Sequence, residues 1–299
     1  MTQRIGPHLT QQILRASISP LPVDIRNLEK RVGPPMPRYN SGIWQMNRML
    51  EGGWYGYTMV AAFQKTGKTI LATRAAVESC RDGWKVFYCW GEGDDRMLMR
   101  RLNVCLDLPD DKDDANWPEF MHNFYAPRFD RGQTIEDIIR WIIQRIDIEE
   151  EKLLIFVDSI NRLAKIGVRN GGKFFDILSD INGVASFITS QSAGRIGFVS
   201  VSENNKRGGA VGADIEYAAE VLVQMKNRPS QGDDHLVGFK VESRDTDAGD
   251  LGKFRRLPRQ CLFEASEKES MAEKPKTKQQ GSLRLVSGAK APIDDDIPF

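Results

Sequence analysis

The sequence predicts an α/β domain with a mainly parallel central sheet, because strand and helix patterns alternate along the chain. The apolar segments "YTMVAAF" and "WKVFYCW" flank "KTILATRAAVESC", which has the apolar spacing of a helix. The segments "KLLIFVD" and "IGFVSVSE" flank a second helical pattern, "FFDILSDINGVASFITSQSA". Since "KLLIFVD" is almost wholly apolar, we expect it to be covered on both faces, as strands of parallel sheets are. This alternation indicates consecutive βαβ units.

The elements each carry a local signal. In the first helical segment, Ile70, Leu71, Ala75 and Val77 suit a helix packed on a sheet, and "RDG" ends it. The clearest helix follows Thr134, with Asp137 three residues later in the manner of a capping-box partner. The isoleucines that share one face of this helix are Ile135, Ile138, Ile139, Ile142, Ile143 and Ile146.

The composition bounds the class of protein. At 299 residues and 40% hydrophobic content, the chain suits one large domain with appendages or two small ones. Lysine and arginine total 42 against 41 acidic residues, so a site for a polyanion must be local. The 4 cysteines form no CxxC pair, which argues against a zinc ribbon and a disulfide framework. Without an apolar leader or a long apolar run, we expect a cytoplasmic protein with no membrane contact.

Composition also divides the chain into three parts. Residues 1–40 hold a short helical candidate and proline-rich text, "ISPLPVD" and "VGPPMPRYN", which predict an arm or linker. Residues 41–265 carry the α/β pattern. Residues 266–299 are rich in Lys, Glu, Gln, Ser and Pro, which predicts a disordered tail, and this tail ends in "DDDIPF".

A phosphate loop follows the first strand. The segment "AFQKTGKT" matches the pattern GxxxxGK[ST] at every position except the first glycine, where Ala62 stands. Gly67 would let the backbone close around phosphate oxygens, Lys68 would reach the outer phosphates, and Thr69 would hold Mg²⁺. The alternative is a chance "GKT" after a strand. The predicted nucleotide-binding residues are Ala62, Phe63, Gln64, Lys65, Thr66, Gly67, Lys68 and Thr69.

Two carboxylates follow neighbouring strand patterns. Asp158 ends "KLLIFVD", at the carboxyl end of a predicted parallel strand, where ligands of such sheets bind, and it would supply a second Mg²⁺ contact. Glu92 comes just after "WKVFYCW" and could act as a general base. Asp94 and Asp95 stand close to it and compete for that role. The alternatives are a capping aspartate and a charged surface loop.

The stretch "SGIWQMNRMLEGGWYGYTMVAAFQKTGKTILA", with "GEGDDRMLMRRL", "DSINRL" and "FVSVSENNKRGGAVGADIEYAAEVLVQM", resembles the RecA-superfamily ATPases, in the branch of bacterial RadA and DnaB. The resemblance implies a RecA-like P-loop NTPase core over residues 41–265 that uses ATP and Mg²⁺. It also implies that Glu92 is the catalytic glutamate, that Asp158 serves Mg²⁺, and that Glu203 senses the γ-phosphate.

The resemblance further implies an oligomer. The text "FKVESRDTDAG" stands where RadA carries its KNRFG motif, which makes Lys240 and Arg244 the candidates to reach a neighbouring subunit's γ-phosphate in a hexameric ring or filament. The alternative for both is surface charge. The zinc module and the protease-like domain of RadA have no counterpart in this sequence.

Two glycine-rich loops are candidates for contact with single-stranded DNA. They combine backbone flexibility with positive charge, which suits sequence-tolerant binding along a phosphate backbone. The alternative is ordinary mobile basic loops. The cationic residues of "KIGVRNGGK" and "NNKRGGAVG" are Lys165, Arg169, Lys173, Lys206 and Arg207.

These features together predict a DNA-dependent ATPase that acts in recombination, annealing or replication, in a bacterial or phage-infected cell. A ring helicase of the DnaB type and a nucleotide-gated adaptor with little hydrolysis are the alternatives. The terminal "DDDIPF" resembles the tip of bacterial single-stranded DNA-binding protein, which implies that Phe299 docks on the proteins that bind that tip. Alternatively, the tail folds back on the basic loops.

Overall fold

The computed structural model describes residues 36–91, 93–109, 117–129, 134–143, 152–169, 171–192, 195–204, 218–227, 236–246, 249–257 and 262–265. Its helices are α1 Trp44–Met49, α2 Lys68–Arg81, α3 Asp95–Cys105, a 3₁₀ helix Glu119–Asn123, α4 Ile135–Ile143, α5 Ile160–Arg169 and α6 Phe174–Gln191. Its strands are β1 Tyr57–Ala62, β2 Lys85–Trp90, β3 Phe124–Tyr125, β4 Leu153–Asp158, β5 Ile196–Glu203, β6 Val221–Asn227, β7 Leu236–Ser243, β8 Gly249–Leu257 and β9 Leu262–Ala265.

Within the described residues the strands form one 9-stranded sheet, in the order β3-β2-β4-β5-β1-β6-β7-β8-β9. Neighbours from β3 through β6 pair in parallel, and β6 to β9 continue the sheet as antiparallel neighbours. The prediction of an α/β fold with a mainly parallel sheet is therefore confirmed. The strand "KLLIFVD" lies between β2 and β5, and all residues of β4 are buried.

The sheet separates two apolar cores. Helices α1, α2 and α3 contribute to the core on one face, whereas α4, α5 and α6 contribute to the core on the other. Successive residues of β1 alternate between them, since Val60 and Ala62 belong to the first core and Met59 and Ala61 to the second. Burial on both faces explains why the central strands are almost wholly apolar.

The predicted capping box at the start of α4 is present. The backbone N–H and the hydroxyl of Thr134 donate to Asp137 Oδ2 at 2.9 and 3.0 Å, and the Asp137 N–H donates back to Thr134 Oγ1 at 3.2 Å. Ile135, Ile138, Ile139 and Ile142 are buried in the second core. Ile146 lies outside the described residues.

The predicted arm ends inside the first core. Tyr39 is buried, and its hydroxyl donates to the Gly56 carbonyl at 3.0 Å and to Thr58 Oγ1 at 2.8 Å. Its ring packs edge-on against Trp54 and Trp84. The last residues before position 41 thus belong to the packed domain, because a tyrosine with satisfied polar atoms is stabilised by burial. Residues 1–35, Cys261 and residues 266–299 lie outside the described part.

The described helices do not include one that is long and apolar enough to cross a membrane. The described cysteines, Cys80, Cys89 and Cys105, are buried free thiols. Burial raises the pKa of Cys80 to about 12, so this thiol stays protonated and unreactive at neutral pH.

Glu220 stands at the amino-terminal end of β6, opposite the end of the sheet that carries the phosphate loop. Its Oε2 accepts a hydrogen bond from the Tyr57 N–H at 2.6 Å, and burial raises its pKa above 4.5 despite the nearby charge of Arg244. A carboxyl group whose pKa is higher in the folded state contributes stability below its unfolded pKa. That contribution is lost as the pH rises through the folded pKa.

Glu220→Gln is therefore expected to raise the melting temperature at neutral pH and to flatten its dependence on pH between about pH 4 and pH 8. Glutamine keeps an oxygen that can accept from the Tyr57 N–H but carries no charge. Thermal unfolding across this range, with exposed Glu264→Gln on β9 as the control, measures the effect. The same slope in both variants would contradict the role given to Glu220.

Candidate nucleotide-binding site

The phosphate loop joins β1 to α2. Gly67 caps α2 in the left-handed region, with φ 107°, and Lys65 also has a positive φ of 61°. Ala62 is the last residue of β1 and is not among the described residues with positive φ. Alanine therefore fits at the first position of the motif, because the backbone there continues a strand. Lys68 Nζ donates to the carbonyl oxygens of Ala62 and Phe63, each at 2.9 Å.

A cavity of about 650 Å³ opens above this loop, at the carboxyl ends of the parallel strands. It brings together residues that the sequence analysis singled out separately, including Lys68, Thr69, Asp158 and Glu203. Its lining consists of Gln64, Lys65, Gly67, Lys68, Thr69, Ile70, Arg101, Asp158, Ser159, Lys165, Glu203 and Arg256. Cationic side chains outnumber carboxylates in this lining, which suits an anionic ligand at a helix N-terminus.

Asp158 is held from behind by a buried tyrosine. Asp158 is 5% exposed, and the Tyr88 hydroxyl donates to its Oδ2 at 2.8 Å. Thr73 Oγ1 donates to the same hydroxyl at 3.3 Å. Burial and the Asp158 charge raise the pKa of Tyr88 well above its usual value, so the phenol remains a donor at neutral pH. This hydrogen bond orients the carboxylate.

The donors at the site fit Mg²⁺. Thr69 offers a hydroxyl and Asp158 a carboxylate, and both line the main cavity and an adjoining cavity of about 200 Å³. Mg²⁺ is commonly bound by one or two protein oxygens together with substrate phosphates and water. Among the described residues there is no group of three or more His, Cys, Asp or Glu that could hold a metal by itself. Thr69 and Asp158 would hold Mg²⁺ together with phosphate oxygens.

Glu203 is connected to the phosphate loop. It ends β5 and pairs with Ala62 in the parallel register, and its N–H donates to Asn161 Oδ1 at 2.7 Å. Gln64 Nε2 donates to Glu203 Oε1 at 3.4 Å. A change at the loop would therefore be felt directly at the end of β5.

The acidic residues after β2 have different surroundings. Asp94 caps α3, because its side chain accepts from the Met97 N–H at 2.8 Å. Asp95 is exposed and lies 3.5 Å from Arg128. Both carboxylates thus have local structural roles that separate them from Glu92. Glu92 lies outside the described residues, and its role as general base stays a prediction.

The remaining predicted residues lie apart from this cavity in the described chain. The Arg244 N–H donates to the Glu220 carbonyl at 3.1 Å, at the opposite end of the sheet. Lys240 Nζ lies 2.5 Å from Glu242 Oε1 on exposed β7. Neither residue lines the cavity of its own chain, and a role toward a neighbouring subunit stays a prediction. Lys206 and Arg207 lie outside the described residues.

Three residues that the sequence analysis did not single out also reach the site. Tyr88 faces Asp158, and Arg101 lines both cavities. Arg101 had a local signal, because it stands four residues after Met97, and the two share the face of α3 that lines the adjoining cavity. Arg256 had no such signal, since it comes from β8 in the antiparallel part of the sheet.

The sheet order and the phosphate loop define the RecA-like class of P-loop folds. Among solved structures, the ATPase domain of a DnaB-like helicase matches with a TM-score of 0.58 and 14% identity, and the match covers 89% of this chain and 100% of that chain. The KaiC-like protein PH0186 from Pyrococcus horikoshii OT3 matches with a TM-score of 0.53 and 17% identity over 75% of this chain and 97% of that chain. No protein-family model and no curated protein matches the sequence.

Proposed function

We propose that this protein is a DNA-dependent ATPase that binds single-stranded DNA and acts in recombination, annealing or replication. The observation that carries the ATPase proposal is the shared cavity lined by Lys68, Thr69, Asp158 and Glu203. A loop of backbone N–H groups at a helix N-terminus, a lysine, and oxygen donors for Mg²⁺ are the parts that a triphosphate site requires. Glu92 is proposed as the base that activates water.

The proposal gives each of these residues a task. The loop amides and Lys68 hold the phosphates, Thr69 and Asp158 position Mg²⁺, and Glu203 detects the γ-phosphate through Gln64. Lys240 and Arg244 are proposed to act on a neighbouring subunit's nucleotide, in a ring or filament. Their distance from the cavity of their own chain is compatible with that arrangement and argues against a role within it.

The DNA-binding proposal rests on a charged and aromatic surface of α5 and α6. Arg162, Lys165 and Arg169 are exposed and follow the three- and four-residue spacing of one helical face. Lys173 is exposed in the turn to α6, and Phe175 is 63% exposed directly after it. A row of cations beside an exposed ring suits a single strand, whose phosphates meet the charges while a base stacks on the ring.

Lys165 gives this surface a connection to the nucleotide. It belongs to the cationic face of α5 and also lines the phosphate cavity. A strand bound along α5 would therefore change the electrostatic potential and the position of one wall of the nucleotide site. This supports ATP hydrolysis that is stimulated by DNA.

The experiment that tests the proposal is ATP hydrolysis by the full chain with and without single-stranded DNA. We expect stimulation by DNA. Phe175→Ala is expected to weaken single-stranded DNA binding about tenfold and to leave hydrolysis without DNA unchanged, since stacking contributes about 1–3 kcal/mol per base. Trp44→Ala on α1 is the matched control, because Trp44 is 66% exposed and lies in the helical layer on the other face of the sheet.

Hydrolysis that DNA does not stimulate would contradict the proposal. Equal DNA affinity of the parent and Phe175→Ala would remove Phe175 from the DNA surface. Strand displacement with a defined polarity would favour a ring helicase instead. Deletion of Phe299, which lies outside the described residues, extends the assay. We propose that this terminal residue docks on proteins that bind the tip of single-stranded DNA-binding protein, whereas tighter DNA binding after the deletion would indicate a tail that competes with DNA.

A further inference from the structure

The antiparallel hairpin of β8 and β9 covers the phosphate loop of its own chain. Arg256 on β8 pairs with Phe263 on β9 in the strand register. A Cβ atom placed on Gly67 would lie 2.9 Å from Arg256 Cδ and 3.3 Å from the tip of the Phe263 ring. The hairpin thus packs directly on the turn that holds phosphates in P-loop proteins.

Arg256 also contacts this loop through a polar group. Its Nη1 donates to the carbonyl oxygen of Lys65, a residue with positive φ. The guanidinium therefore holds the loop at its most strongly curved point. Because Lys65 and Gly67 lie two residues apart, Arg256 touches both positions at which the loop backbone turns.

Arg256 is also directed toward the ligand space. It lines the phosphate cavity, and its Nε is buried without a hydrogen-bond partner among the described residues. Thr66 Oγ1, in the loop itself, is likewise buried and unpartnered within the described chain. A buried guanidinium donor is stabilised most by an oxyanion, because it offers a fork of N–H groups that matches phosphate oxygens.

We propose that Arg256 is a phosphate-binding residue that acts from within the same chain. Through it, the β8–β9 hairpin holds the phosphate loop around the phosphate chain of a nucleoside triphosphate. This inference rests on the proposed nucleotide site. It differs from the role proposed for Lys240 and Arg244, which would act on a neighbouring subunit. A contact within one chain makes nucleotide affinity depend on Arg256 at any protein concentration.

The test measures the affinities of the full chain for ATP, ADP, AMP and adenosine, by competition with a fluorescent ATP analogue. Arg256→Ala is expected to weaken ATP binding about tenfold or more and to leave adenosine binding unchanged. Arg256→Lys keeps the charge without the planar fork and should fall between the parent and Arg256→Ala. The loss should be the same at low and high protein concentrations.

Arg255→Ala is the matched control, because Arg255 is the preceding residue of the same strand and its exposed side chain points to the other face. It should bind all four ligands like the parent. Equal ATP affinity of the parent and both Arg256 variants would overturn the inference, and so would an equal loss for ATP and adenosine. A parent protein that binds no ATP would instead contradict the proposed function itself.

Discussion

Lys68→Ala is expected to lower kcat/KM for ATP hydrolysis by about 100-fold or more. Lys68 begins α2, and its Nζ lies against the carbonyl oxygens of the phosphate loop, where it can follow the outer phosphates of a bound nucleotide. Alanine favours the helix but removes the positive charge that balances the phosphates during transfer. Release of inorganic phosphate at saturating Mg²⁺ measures the loss.

The control for this prediction is Lys85→Ala. Lys85 begins β2 at the amino-terminal end, so the substitution removes an equal charge from the opposite end of the sheet. Hydrolysis by this variant should match the parent, which excludes a general effect of net charge. Parent-like hydrolysis by Lys68→Ala would show that "GKT" in this chain is not a working phosphate loop.

Asp158→Asn is expected to lower turnover by about 100-fold and to make it far less responsive to Mg²⁺. Asparagine keeps the size of the side chain and an oxygen for the hydrogen bond from Tyr88, which is 2.8 Å away in the parent. It removes the negative charge that a divalent cation requires. Turnover measured across a Mg²⁺ titration tests this expectation, and the melting temperature shows whether the variant is folded.

Tyr88→Phe separates the charge of Asp158 from its orientation. The phenylalanine ring would keep the packing against Phe124 and Phe156, whose ring centroids lie 6.1 and 5.7 Å from that of Tyr88. It would lose only the hydroxyl that orients the carboxylate. We expect the Mg²⁺ concentration for half-maximal turnover to rise about tenfold while the maximal rate is largely retained.

The results of the two variants also separate the proposed functions. The same Mg²⁺ dependence in the parent, Asp158→Asn and Tyr88→Phe would contradict the metal role of Asp158. If the parent itself turned over ATP as slowly as Asp158→Asn, a nucleotide-gated adaptor would explain the site better than an ATPase. In that case Lys68→Ala would still weaken nucleotide binding, because both functions need the phosphates to be held.

Most of the parallel part of the fold could be predicted from local patterns. The strands β1, β2, β4 and β5 and the helix α2 coincide with the apolar segments of the sequence. The Thr134 and Asp137 capping box was readable because its two partners are three residues apart. Signals of this kind depend on near neighbours in the chain, and neighbours are what a sequence presents directly.

The residues that were not predicted are those brought to the site by distant parts of the chain. Tyr39 reads as part of a proline-rich arm, yet it packs against Trp84, which is far away in sequence. Tyr88 lies within an apolar strand, and only the β2–β4 register brings it to Asp158. The antiparallel strands after β6 carried no strong pattern, because their exposed faces hold charged residues.

The sequence by itself determined the α/β class, the phosphate loop and the order of its candidate ligands along the chain, because each depends on a short pattern of residue types. Only the tertiary structure decided that Lys68, Asp158 and Glu203 share one cavity, that Tyr88 orients Asp158, and that Arg256 contacts the loop. The physical reason is that strand order and register are set by packing on both faces of the sheet. Residue spacing along the chain does not encode which strand will lie beside β1.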